Sequence, residues 1–125
     1  MLPIEISHVV AVTAFIRNDD GRVLLVRSPQ RDWEMPGGQV QRGECLVDAL
    51  HRGVLEEAGI VIAIERLGRV YQNLEKSVLI LAFVARATGG SLRTSEEGIE
   101  VGWYAEQEVA GNGGDNYNAS NGRLM

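Results

Sequence analysis

The chain has 125 residues, of which 45% are hydrophobic and 23% are charged, and its formal net charge is −5. This length suits one domain, and this composition excludes a wholly disordered, collagen-like or coiled-coil protein. The acidic balance argues against broad attraction to nucleic acid or to an anionic membrane, because either needs a basic surface. The single cysteine, Cys45, cannot form an internal disulfide, and no apolar run suits a membrane span or a signal peptide. We therefore expect a cytoplasmic protein that binds neither nucleic acid nor membrane.

The first half of the chain has the pattern of a β-hairpin followed by a loop and a helix. Residues 8–16 and 22–27 are rich in β-branched side chains and flank an Asp-Gly pair that favours a tight reversal. After the loop, apolar residues recur at helical spacing over 46–58, and Gly59 follows where a helix is often capped. The sequence thus predicts a hairpin and one long helix.

The second half of the chain predicts strands and then a tail. The predicted strands cover residues 61–64, 70–73, 77–87 and 100–104, with a turn at the Gly-Gly pair 89–90. From Gly111 onward the chain is rich in Gly and Asn and has almost no apolar residues, which is typical of a flexible tail. We therefore expect one α/β domain over residues 1–110 and a flexible tail over residues 111–125.

A motif with fixed spacing runs from the loop to the end of the predicted helix. It consists of Gly38, Glu44, Arg52, Val54, Glu56, Glu57, Gly59 and Ile60. The segment resembles the Nudix box of MutT-like hydrolases and matches eight of its nine defining positions. The flanking segments 33–38 (WEMPGG) and 100–103 (EVGW) are also similar to the family. The resemblance covers residues 8–108.

The resemblance implies a fold and an activity. The Nudix fold is a mixed β-sheet sandwiched by helices, within the α/β class. Only residues 105–110 could start the C-terminal helix before Gly111 stops it, so we expect this helix to be truncated. The sheet face left uncovered would favour a homodimer or leave a marginally stable monomer. The implied reaction is hydrolysis of a nucleoside diphosphate linked to another moiety, with Mg²⁺ or Mn²⁺ as cofactor. We expect a nucleoside triphosphate as the substrate, as in MutT-like pyrophosphohydrolases.

The Glu-Glu pair of the motif is the centre of the expected site. Glu57 falls inside the apolar arc of the predicted helix, where a carboxylate is costly unless it is paired or bound to a cation. Oxygen ligands clustered at a helix end suit a hard cation such as Mg²⁺. We therefore expect Glu56 and Glu57 to bind the metal and to act in catalysis; a solvated helix face is the alternative. The resemblance adds the carbonyl of Gly37 and the carboxylate of Glu44 to the metal site; for Glu44, an acid that caps the start of the helix is the alternative.

Other residues are predicted to orient the site or to bind substrate. Arg52 precedes Glu56 by one helical turn, so an ion pair could orient that carboxylate; an ordinary surface pair is the alternative. The Gly37–Gly38 pair permits a loop whose backbone comes close to a ligand. Trp33 and Tyr71 are candidates for stacking on a nucleobase, although single aromatic residues near sheet ends more often serve packing.

One position departs from the family pattern. Gly53 stands where many Nudix proteins have a glutamate that serves as a metal ligand or general base. Either a loop acid replaces it, with Glu96 and Glu97 as candidates and Glu100 as a weaker one, or turnover is slow. We expect Gly53→Glu to raise kcat if the missing carboxylate limits the reaction. The alternative function is a catalytically impaired Nudix domain that acts as a nucleotide-binding module; an interaction domain without a ligand would make the retained glutamates coincidental.

Overall fold

The structure, a computed structural model, describes residues 8–27, 29, 32–93, 100–109 and 123–124. Within these ranges the strands are β1 (Val9–Arg17), β2 (Val23–Arg27), β3 (Gly37–Gln39), β4 (Ile60–Asn73), β5 (Val78–Gly90), β6 (Glu100–Tyr104) and β7 (Arg123–Leu124), and the helices are α1 (Leu46–Ala58) and α2 (Glu106–Glu108). In the same ranges no helix is long and apolar enough to cross a membrane.

The strands form one mixed sheet in the order β6-β2-β1-β5-β4-β7, with β3 paired to β1 beside this path. The central strands β1 and β5 are parallel along their whole contact, from Val9↔Val78 to Arg17↔Arg86. Because β5 occupies one edge of β1, the strands β2 and β3 share the other edge, and both run antiparallel to β1. The mixed sheet and its helices confirm the predicted α/β class.

Helix α1 has the predicted bounds and packs on one face of the sheet. Its inward residues Ala49, Leu50, Gly53, Val54 and Ala58 are buried, and most of them join the main core with residues of β1, β2, β4 and β5. The helix begins after Cys45, whose Sγ accepts a hydrogen bond from the backbone N–H of Asp48. It ends at Gly59, which has a φ of 76° and donates its N–H to the carbonyl of Leu55. The apolar periodicity and the capping glycine thus identified this element correctly.

Strand β4 differs from the prediction because it is one long strand rather than two. Residues 65–69 are exposed, so the alternation of buried and exposed residues is lost there although the backbone stays paired to β5. Three register shifts interrupt the pairing, between 61 and 62, 64 and 66, and 67 and 69. The predicted turn at Gly89–Gly90 is also wrong, since both residues pair with the start of β4.

The sheet face opposite α1 carries a second, smaller core. Val23 and Leu25 point to this face because side chains alternate along β2, and Val109, which is 5% exposed, packs against them. Val109 follows the three residues of α2, and since residues 110–122 lie outside the described residues, the truncation of the C-terminal helix stays a prediction. Trp33 and Tyr104 border the same cluster.

The structure describes two residues of the expected tail. The backbone of Arg123–Leu124 pairs with β4 at Gln72 and Tyr71, a contact that the sequence did not suggest. Residues 110–122 lie outside the described residues, and the flexibility of the tail stays a prediction.

Candidate active site

The site is built where α1 crosses β3 with almost no space between the two backbones. A Cβ atom on Gly53 would lie 2.7 Å from both the carbonyl carbon and the carbonyl oxygen of Gly37, and 2.9 Å from the nitrogen of Gly38. A Cβ atom on Gly37 would collide with the carbonyl oxygen of Val12 in β1. Glycine at 37 and 53 therefore allows three backbone segments to stack closely.

Glu57 is held at this crossing by a backbone hydrogen bond. The N–H of Gly37 donates to Oε1 of Glu57 over 2.8 Å, and the glutamate side chain is half-buried. The structure thus places Glu57 toward the interior, where the helical pattern put it, and pairs it there. A carboxylate fixed in this way costs less to bury than an unpaired one.

Arg52 joins the helix to the loop before it. Its Nε donates to Oε2 of Glu44 over 2.8 Å and its Nη2 donates to Oε1 of Glu44 over 3.0 Å, a two-point contact. Nη2 also donates to the carbonyl of Gln39 over 2.7 Å, and the N–H of Gln41 donates to Glu44 over 3.0 Å. These hydrogen bonds, that of Arg52 above all, lower the pKa of Glu44 below its ordinary value, and Glu44 raises the pKa of Arg52. Both oxygens of Glu44 thus have a protein partner.

Glu56 is a looser partner of Arg52 than Glu44 is. The distance from Nη1 of Arg52 to Oε2 of Glu56 is 3.3 Å, and the Glu56 side chain is 63% exposed. The expected ion pair one turn apart therefore exists, but the shorter contacts of Arg52 go to Glu44 and Gln39. Arg52 therefore holds the loop residues Glu44 and Gln39 more closely than it holds Glu56.

A cleft of about 360 Å³ opens beside Glu57. Its floor is the segment Ala11–Thr13 of β1, and one wall is formed by Gly37–Gln39 together with Glu57. Asn73 and Lys76, at the turn between β4 and β5, line the far side. A cleft of this size can hold a phosphorylated small molecule, since ligand sites start at about 300 Å³.

The donors beside the cleft fit a hard divalent cation. Glu56 and Glu57 are consecutive on the last turns of α1, and the carbonyl of Gly37 lies against the same helix. Within the described ranges, no three His, Cys, Asp or Glu side chains gather into a metal cluster. Mg²⁺ needs no such cluster, because it keeps several waters and binds one or two carboxylates together with substrate phosphates. Oxygen donors, an open cleft and few ligands are what this cation requires.

Neither of the two aromatic candidates is among the described residues that line the cleft. Tyr71 is 4% exposed and packs with Ile80 and Ala82, so its ring has no open face for a nucleobase. The Trp33 ring contacts that of Tyr104 edge-on, with centroids 5.0 Å apart, and the guanidinium of Arg27 lies over it. Both rings thus contact other side chains, and stacking of the partly buried Trp33 on a nucleobase stays a prediction.

The candidates for a replacement base are only partly placed. Glu96 and Glu97 lie outside the described residues. Glu100 is exposed on β6, where its backbone lies opposite Arg27 of β2 in the sheet. Strands β2 and β6 lie on one side of β1, whereas β4 and β5 lie on the other. Lys76 and Asn73 are cleft residues that sequence reasoning missed; their only signal was their position where the predicted strand 70–73 ends and the predicted strand 77–87 is about to begin.

The fold and the motif define the class of protein to which the chain belongs. A model of the NUDIX domain matches residues 7–121, and the chain is a member of the Nudix hydrolase family. It is 35% identical over 104 residues to a MutT-like protein of Streptomyces ambofaciens, covering 82% of this chain and 68% of that protein. It is 35% identical over 101 residues to an 8-oxo-dGDP phosphatase of Mus musculus, covering 74% of this chain but only 31% of that protein.

Solved structures show the same fold. A MutT protein from Methanosarcina mazei superposes with a TM-score of 0.69 at 29% identity, over 87% of this chain and 85% of that chain. A NUDIX hydrolase from Nitrosomonas europaea superposes with a TM-score of 0.72 at 30% identity, over 81% of this chain and 59% of that chain. Nudix proteins generally use a divalent metal and act on nucleotide-type small molecules.

Proposed function

We propose that the protein hydrolyses a phosphoanhydride bond in a nucleoside diphosphate linked to another moiety, with a nucleoside triphosphate as the substrate. The observation that carries the proposal is Glu57, a half-buried carboxylate that the N–H of Gly37 fixes at the edge of an open cleft. The family relationship supplies the reaction class. The name of the Streptomyces relative supports a MutT-like activity, and that of the mouse relative makes oxidised guanine nucleotides the first substrates to test.

In this proposal each residue of the crossing has a separate task. Glu56, Glu57 and the carbonyl of Gly37 would hold Mg²⁺, or Mn²⁺ in its place. Glu44, which binds Arg52, would lie near these ligands. When bound, this cation neutralises charge on the diphosphate and lowers the pKa of a coordinated water. The N–H of Gly37 keeps the Glu57 carboxylate in place, and Arg52 keeps the loop against α1. The Gly37–Gly38 backbone would lie next to the substrate phosphates.

The attacking water needs a group that accepts its proton. We propose that Glu97 or Glu96 serves as this base, because position 53 has no carboxylate. A Gln substitution at each of the two positions, followed by single-turnover measurement, assigns the role. Loss of the chemical step in one variant only identifies the base.

The second candidate function is a nucleotide-binding module without turnover. It is favoured by the packing at Gly53, since the 2.7 Å approach of a Cβ atom to Gly37 leaves no room for the carboxylate of other Nudix proteins. Binding without hydrolysis would identify this alternative.

A substrate panel decides between the two functions. The purified protein is incubated with canonical and oxidised nucleoside triphosphates and diphosphates, dinucleotides, sugar nucleotides and ADP-ribose, with Mg²⁺ or with Mn²⁺. Released phosphate and pyrophosphate are measured. Glu57→Gln should abolish turnover, whereas Glu65→Gln, which removes an exposed carboxylate from β4, should leave it unchanged. No product from any substrate, with binding retained, would refute the hydrolase.

The oligomeric state and the location belong to the same proposal. We propose a homodimer, in which a second copy would cover exposed apolar side chains such as Leu67 and Leu74, which are 47% and 57% exposed. Light scattering at several concentrations tests the dimer. Fractionation of the source cells tests the cytoplasmic location.

A further inference from the structure

We infer that Lys76 is a substrate-binding residue that pairs with a phosphate group of the nucleotide; the inference rests on the proposed hydrolysis of nucleotides. Lys76 is the only lysine in the chain. It lines the cleft that Glu57 and Gly37 border on the other side. Arg52, the basic residue of the Nudix box, is not among the described residues that line this cleft.

The fold places Lys76 across the cleft from the carboxylates. Strand β3 pairs with one edge of β1 and strand β5 with the other, so the floor of the cleft separates Gly37 from Val78 and the turn before it. Glu57 stands on the β3 side, because Gly37 holds it there. A ligand that spans the floor can therefore meet a metal on one side and an ammonium group on the other.

The charges that line the cleft make this ammonium group important. Among the described lining residues, Glu34 and Glu57 are acidic and Lys76 is the one basic residue. A substrate with two or more phosphates brings several negative charges into this acidic space. A divalent cation can offset charge next to Glu57, and Lys76 offers the compensating charge on the opposite wall.

The backbone that carries Lys76 is fixed rather than loose. The N–H of Lys76 donates to Oδ1 of Asn73 over 3.0 Å, which closes the turn on itself. The carbonyl of Ser77 accepts the N–H of Val9 over 2.8 Å, which ties the turn to the start of β1. Ser77 has a φ of 54°, a left-handed conformation that the turn imposes on it. A lysine on a fixed backbone loses less backbone entropy on binding a phosphate than one on a mobile loop.

Kinetics of three variants test the inference. Lys76→Gln should raise KM about tenfold, the low end for a charge-assisted hydrogen bond because the side chain is exposed, with little change in kcat. Lys76→Arg should recover most of the affinity. Arg66→Gln removes the same charge from an exposed site on β4 outside the cleft and should leave KM unchanged. An unchanged KM in Lys76→Gln, or an equal rise in Arg66→Gln, would overturn the inference.

A labelling experiment gives a readout that does not depend on turnover. Reductive methylation modifies Lys76 and the α-amino group of the chain, and mass spectrometry quantifies each. With Mg²⁺ present, inorganic pyrophosphate or a nucleoside monophosphate at ten times its dissociation constant should slow methylation of Lys76 about tenfold, by mass action. The α-amino group should react at its usual rate. Protection by neither product, in a protein that hydrolyses nucleotides, refutes the role of Lys76 alone; a wild-type protein that neither binds nor hydrolyses any nucleotide refutes the proposed function with it.

Discussion

Gly53 lies so close to Gly37 that a Cβ atom at position 53 would stand 2.7 Å from the Gly37 carbonyl carbon. The contact is with backbone atoms, which cannot turn aside as the end of a flexible side chain can. Glycine inside a helix costs about 1 kcal/mol relative to alanine. The close crossing explains why α1 tolerates this cost, since it lets Gly37 reach Glu57.

Alanine at position 53 is expected to destabilise the protein. Overpacking costs about 1–3 kcal/mol, and a Cβ atom 2.7 Å from backbone atoms puts this variant at the upper end of that range. This cost exceeds the gain in helix propensity of about 1 kcal/mol. Gly38→Ala is the matched control, because its Cβ would meet the Cα of Gly53 at 3.5 Å, an ordinary contact. Denaturant unfolding measures both variants. Equal or higher stability of Gly53→Ala would contradict the packing argument.

The same geometry changes the expectation for Gly53→Glu. The sequence predicts that a carboxylate restored at position 53 raises kcat. The structure indicates instead that the larger side chain separates β3 from α1 and weakens the Gly37–Glu57 hydrogen bond. We now expect lower stability and no gain in kcat. Rate and unfolding free energy are measured separately. A tenfold higher kcat would restore the first view, in which the absent carboxylate limits turnover.

Arg52→Lys is expected to lower activity although it keeps the charge. A lysine has one ammonium group and cannot replace the two donors that hold Glu44 together with the contact to Gln39. The loop next to the substrate would shift, and a misplacement of about 1 Å can cost about 100-fold in rate. We expect kcat/KM to fall at least about tenfold by this principle. Arg42→Lys, in the exposed loop before α1, is the control and should change little.

Glu57→Gln is expected to weaken metal binding while preserving the fold. The amide oxygen of glutamine can still accept the N–H of Gly37, so the variant removes the charge and keeps the shape. Calorimetric titration with Mg²⁺ and Mn²⁺, in the presence of a nucleotide, should show at least about tenfold lower affinity, the lower limit for a lost charged contact. Glu65→Gln provides the comparison. Equal affinity of wild type and Glu57→Gln would remove Glu57 from the metal site.

The stability of the protein should fall at alkaline pH because of Tyr104. Burial raises the pKa of Tyr104 above its ordinary value, and the nearby Glu100 and Glu108 raise it further. The folded state therefore holds this proton more tightly than the unfolded state. The contribution is fully present below the ordinary pKa of about 10 and is lost as the pH rises through the raised value. Unfolding of wild type and Tyr104→Phe across this range should show a steeper loss for wild type; parallel curves would exclude the effect.

The tail gives a prediction that concerns the edge of the sheet. A chain ending at Ala110 lacks β7, so Tyr71 and Gln72 lose the backbone pairing with Leu124 and Arg123. We expect a small decrease in melting temperature and an unchanged rate, because the pairing has two residues and β4 keeps its long contact with β5. Loss of activity would show that the tail contributes to the site.

The sequence identified local features better than contacts across the fold. Helix α1 was predictable because its apolar positions repeat every turn and Gly59 ends it. That β4 is one continuous strand was not predictable, because its middle residues are exposed and lack the alternation of a strand, although their backbone pairs with β5. The charged residues of the motif identified the helix that carries the site. The reason for Gly53 is visible only in the structure, where α1 crosses β3 too closely for a side chain at this position. Lys76 joins the cleft through pairings distant in sequence, which no local pattern reveals.

The parallel pairing of β1 with β5 also has a kinetic consequence. It joins Val9 to Val78, about 70 positions apart in the chain, and it alone brings the β4–β5 turn next to β3. Closing so long a loop costs conformational entropy, and strand pairing between residues distant in sequence is therefore slow. Helix α1 and its local crossing can assemble early on their own stretch of chain. The cleft, by contrast, requires this long-range pairing, so a nascent chain stopped before residue 78 has the Nudix helix but no binding site.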